Sequence, residues 1–129
     1  LEFRRVLFRS ASADEMTAAW EYHKQGLKKT AEKFGKKIIF MEIGCRSARG
    51  CAAMPWDFVH SEFPRDEDEQ ANFYESALRA MWDEPYFAGF FWWDWETNLM
   101  SEDRIPTDKG FGIHGKKAEK VLTDWYTNK

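Results

Sequence analysis

Apolar positions recur at helical spacing in three stretches of the chain and form short unbroken runs in two others. Met16, Trp20, His23, Leu27, Ala31 and Phe34 follow one another at helical intervals, which predicts an amphipathic helix. Ser12, with Glu15 three residues later, makes a capping-box pattern at its start, and Gly35 closes it. Lys36-Lys37 then leads into Ile38-Ile39-Phe40-Met41, a β-prone run without alternation, as expected of a strand covered on both faces in a parallel sheet. The run ends on Glu42. From Ile43 to about Glu67 the chain carries Gly44, Gly50, Pro55 and Pro64 and reads as a long loop. Asp66 to Glu69 set negative charge at the positive end of the next helix, whose buried side is marked by Ala71, Phe73, Tyr74, Ala77, Leu78, Met81 and Trp82. Pro85 separates that helix from a second apolar strand, about Tyr86 to Trp93. A second long loop, with Pro106, Gly110 and Gly112, runs to Gly115, and a last helix from Lys116 to about Thr127 buries Ala118, Val121, Leu122 and Trp125.

The order is helix, strand, helix, strand, helix, the pattern of a parallel α/β sheet. Two strands cannot cover themselves, and a (β/α)8 barrel needs about 250 residues, or roughly 31 for each strand-helix unit. The 129 residues therefore read as the C-terminal part of such a TIM barrel, from about helix 6 to helix 8. Both long loops follow strands, so they would meet at the C-terminal face, where these barrels keep their active sites.

Composition narrows the function. Lys and Arg number 19 against 22 Asp and Glu, a formal charge of -3, so no basic excess argues for nucleic acid. The longest apolar runs fall well short of the roughly 18 residues of a membrane span. Cys45 and Cys51 are too few for a disulfide framework or a four-ligand zinc site, and His23, His60 and His114 are scattered singly, so no metal or cofactor is implied. Aromatic residues reach 17%, more than a core of this size needs, and several stand beside charges.

Those aromatics and Glu42 carry the candidate chemistry. A carboxylate that ends a buried strand is costly unless paired or used, so Glu42 is a candidate nucleophile, base or metal ligand, or else an exposed strand-end glutamate. Arg46, four residues on, could either hold a carboxylate in place or form a surface pair. In Phe90-Phe91-Trp92-Trp93-Asp94-Trp95-Glu96, indoles suited to stacking on sugar rings stand beside carboxylates suited to accepting hydroxyl hydrogen bonds. Trp93 and Trp95 share a face opposite Trp92, which reads as core. Counting back by twos from Trp93 adds Phe91, Gly89 and Phe87 to that face. Trp56, after Pro55, is a further candidate sugar platform.

Several of these segments resemble glycoside hydrolase family 113, which groups β-mannanases and relatives within the retaining (β/α)8 clan A. They are Lys37 to Ser47, Ala52 to Trp56, Gln70 to Tyr74, Gly89 to Trp95 and Lys116 to Leu122. The resemblance implies an oligo- or polysaccharide substrate, retaining hydrolysis with Glu42 as nucleophile at the end of strand seven, and Trp93 facing sugar at the end of strand eight. It places the acid/base on strand four, in the N-terminal part of the barrel, so residues 11–129 alone are expected to be inactive. Cys45 stands where the family pattern leads one to expect Tyr after Glu-Ile-Gly.

From other classes, a non-catalytic carbohydrate-binding module would account for the aromatics, but long helices are unlike the β-sandwiches common among such modules. A barrel-derived pseudoenzyme would leave Glu42 incidental. The first ten residues, Leu1 to Ser10, are a basic-apolar stretch unlike the rest and resemble a sequencing adapter read in frame, so native sequence is expected from about Ala11. Targeting signals are then illegible, and both cytoplasmic and extracytoplasmic locations stay open.

Overall fold

The computed structural model describes residues 10–128; the adapter-like decapeptide therefore lies, except for Ser10, outside the described residues. Helix α1 spans Ala13–Phe34. Its capping box forms: the Ser12 hydroxyl accepts from the Glu15 N–H at 3.2 Å, and the Glu15 carboxylate accepts from the Ser12 N–H at 2.9 Å. Gly35, at φ 59°, ends the helix by donating to the carbonyls of Ala31 and Glu32. Strand β1 is Ile38–Ile43, two residues longer than the apolar run, so Glu42 lies inside the strand. Helix α2 is Glu67–Met81, capped by the Asp66 carboxylate accepting from the Glu69 N–H at 3.0 Å. Strand β2 is Phe87–Trp92 and helix α3 is Lys117–Asn128.

The two strands pair in parallel, and α2 connects them. Helix α2 packs against α1 on one side and α3 on the other. It has the most buried helix surface, including Tyr74, Ala77, Leu78 and Met81. Tyr74 joins Ile113 and Ala118 in a core flanked by Phe73, Trp92, Val121 and Leu122.

Among the described residues, in a chain about a third the length of the related barrels, one face of the strands is open. Phe40 stacks on Phe90 and Trp92 on Tyr74, but Ile39, Met41 and Phe91 are exposed. Among the described residues helices cover one face only, so β1 alternates although its sequence does not. Nor does counting by twos survive along β2. The register steps from Ile38 opposite Phe87 to Ile39 opposite Gly89, and the Phe87 ring packs on Phe40 and Phe90 rather than sharing the exposed face of Phe91. A second step, from Phe40 opposite Phe90 to Ile43 opposite Trp92, gives β1 one extra residue beside Glu42. Bulges of this kind re-aim side chains.

Candidate active site

The loops after β1 and β2 are built around a close approach of backbone to backbone. The Trp93 N–H donates to the Ile43 carbonyl at 2.8 Å, and the Tyr74 hydroxyl donates to the Trp93 carbonyl at 3.1 Å. A side chain at position 44 would collide with that carbonyl: a Cβ there would lie 1.8 Å from its oxygen. Glycine is required so that the end of β1 can sit against Trp93. The Trp93-Asp94 peptide is cis. Burial pushes the Tyr74 phenol far above its usual range, so it stays protonated and remains a donor.

Beyond Gly44 the first loop is tied inward. Gln70 donates to the carbonyls of Cys45 and Phe111, at 2.9 and 3.1 Å, linking α2 to both loops. Glu69 accepts from the N–H groups of Gly50 and Ala52; burial raises its carboxyl, and these two bonds partly oppose the rise. Lys116 is buried and donates to Ser47 Oγ at 2.8 Å, Asp108 Oδ2 at 2.7 Å and the Gly110 carbonyl at 3.2 Å. One ammonium thus joins the first loop, the second loop and the start of α3.

Glu42, Trp56, Trp93 and Asp94 line one open groove of about 1340 Å³ that runs from the strand ends along α1 as far as Lys29. Met16, Trp20 and His23 of α1 border its far side. Trp56 and Trp93 are exposed, as a stacking platform must be. Burial, followed by the charge of Glu96, raises the Asp94 carboxyl, while Lys116 acts in the opposite sense. The structure does not bring Arg46 into this groove. Its guanidinium is buried, donating to Asp57 Oδ2 at 3.0 Å and to the carbonyls of His60 and Lys109, so it is neither a surface pair nor a partner of Glu42. Trp95 is exposed but stands edge-on to His114, with ring centroids 5.7 Å apart, and is not among the groove-lining residues.

Residues 2–116 match the family model of Glycoside Hydrolase Family 113. The chain belongs to this family. It is 37% identical to the family 113 β-mannanase from Alicyclobacillus acidocaldarius, solved in complex with ManMIm; the match covers 87% of this chain and 36% of that one, with a TM-score of 0.79. Two structures described as family 113 β-1,4-mannanases, one of them a complex, are each 26% identical, with TM-scores of 0.78 and 0.79 and coverage of 85% and 88% of this chain. No curated protein sequence matches the chain. The chain spans about a third of the length of these solved relatives, and its α/β fold is that of part of their TIM barrel.

Within this family 113 segment, Glu42, Trp56 and Trp93 stand out in the sequence and line one groove, whereas the residues that hold its walls do not stand out. Tyr74 and Gln70 lie on the same helix, and only Tyr74 was legible as a buried position. That its hydroxyl would meet Trp93 depends on two strands and a helix converging, for which no local pattern exists. Gly44 carried a weak signal, a glycine directly after a strand. Among the described residues no cluster of three or more His, Cys, Asp or Glu could hold a metal, and no helix is long and apolar enough to cross a membrane.

Proposed function

We propose that this chain carries the nucleophile half of the active site of a retaining β-mannan hydrolase, with Glu42 as the attacking carboxylate. The observation that carries the reading is the meeting of Glu42 and Trp93, from the ends of two parallel strands, in one groove of a family 113 chain. The relatives described as β-mannanases favour β-1,4-mannan as substrate. In such a reaction Glu42 attacks the anomeric carbon while a second carboxyl, about 5 to 5.5 Å away, gives its proton to the departing glycosidic oxygen. Water, deprotonated by that second group, then releases the sugar from the glycosyl-enzyme. The second carboxyl is assigned to an earlier barrel strand; neither Glu62 nor Glu96 takes its place.

Trp93 stacks on the sugar beside the scissile bond, and Trp56 offers a platform farther along the groove. Arg46 acts at one remove by holding the loop that carries Trp56, through Asp57. Trp95, against His114 and outside the groove, takes no part in this reading. In the full-length protein, Glu42→Gln is expected to lower turnover of β-1,4-mannan by about 1,000-fold or more with the circular dichroism spectrum unchanged. Near-normal turnover by that variant would overturn the assignment.

A further inference from the structure

We propose that Cys45 and Cys51 form a covalent modification site: they close into a disulfide, by exchange with an external disulfide, that ties the end of β1 to the turn leading into Pro55-Trp56. The two sulfurs lie 2.8 Å apart as free thiols, and both side chains are buried. Their backbones are held in place independently. The Cys45 carbonyl accepts from Gln70, and Cys45 directly follows Gly44, which is seated against Trp93. The Cys51 N–H donates to the Ala48 carbonyl, and its neighbours Gly50 and Ala52 donate to Glu69. Loop packing on both sides therefore brings the thiols together, without requiring the bond itself.

Both thiols are buried out of reach of an external disulfide, and burial, with the neighbouring Cys45 adding to it, pushes the Cys51 thiol well up, so Cys51 offers little thiolate in the folded protein. Exchange thus belongs to folding, before the loop closes. One cysteine thiolate attacks a disulfide R–S–S–R, releasing one R–SH and leaving a mixed disulfide. The second cysteine, as thiolate, attacks the protein sulfur of that mixed disulfide and releases the other R–SH. Two protein thiols are oxidised, and the external disulfide takes up two electrons and two protons. The pairing does not depend on Glu42 being a nucleophile, and it can be tested without activity.

The full-length protein, denatured and reduced, is refolded with a mixture of oxidised and reduced glutathione, then denatured without reductant and alkylated. The expected result is an unalkylated Cys45–Cys51 pair, seen as joined proteolytic peptides about 2 Da lighter than the sum of their reduced forms. Reduction should lower Tm by roughly 5 °C. Cys51→Ser should lose both signatures and leave Cys45 open to alkylation. Recovery of both cysteines in alkylated form after oxidising refolding, from material that has regained its native circular dichroism, would overturn the proposal.

Discussion

At position 44 a single methyl group separates a working strand end from a blocked one. The added carbon of Gly44→Ala would meet the Trp93 carbonyl at 1.8 Å and the Tyr74 hydroxyl at 3.2 Å. The first of these is backbone, so β1 and Trp93 would have to move apart. Gly44→Ala in the full-length protein should therefore cost about 1 to 3 kcal/mol of stability, as overpacking does. With Glu42 as the proposed nucleophile it should also reduce kcat/KM, because β1 carries Glu42 and would move away from Trp93. Chemical denaturation and kinetics on one preparation check both; a stable, fully active variant would show that the loops absorb the collision. At this scale Glu42 was legible because a charge breaking an apolar run is visible in one dimension. The guanidinium of Arg46 was not, because its partners Asp57, His60 and Lys109 are up to 63 residues away.

Helix α3 and the loops after β1 and β2 meet at Lys116. Its side chain is fully buried and its partner Asp108 is 16% exposed, so this pair is shielded from water in a way surface pairs are not. Replacing Lys116 with Met removes the charge and one donor from each of Asp108, Ser47 and Gly110, leaving the Asp108 carboxylate only the Gly110 N–H and the Gly110 carbonyl its bonds from Ser47. A loss of roughly 3 kcal/mol is expected, as when one member of a buried pair is deleted. Burial alone would raise the Asp108 carboxyl, but the hydrogen bond and charge of Lys116, with the Gly110 N–H and Arg104 adding to them, outweigh it and hold the group below its ordinary value. A carboxyl depressed in the folded state adds stability above its unfolded pKa, and that contribution is lost as pH falls through the folded value. Wild-type Tm should thus fall on acidification toward pH 3, and Lys116→Met should flatten that part of the decline. A parallel acid limb in the two proteins would remove the pair from the account. The helices themselves were readable from capping and periodicity, whereas the strand register was not: Gly89 breaks the count of two that a sequence invites.

On the scale of the whole molecule, Ile39, Met41 and Phe91 are exposed along one face of the paired strands, and Phe34 on α1 is exposed as well. In a closed barrel the inner strand face is filled by side chains from the other strands. Expressed alone, residues 1–129 are expected to bind a hydrophobic dye and to sediment as species larger than the 15.3 kDa chain. Sedimentation as a monomer with no dye binding would mean that the exposed face is covered by another part of the same chain.

The sequence by itself determined the order of elements, the family, the capping of α1 and the strand-end carboxylate, because each is written in neighbouring residues and in steps of two or three to four. Only the tertiary structure decided that Phe87 leaves the face of Trp93. It also decided that Arg46 is spent within the loops and that Tyr74, Gln70 and Lys116 hold the groove's walls. These outcomes turn on contacts between residues well separated in sequence, such as Tyr74 with Trp93, 19 positions apart, and Lys116 with Ser47, 69 positions apart. Local propensity carries no term for such distances; packing and the pairing of buried polar groups do.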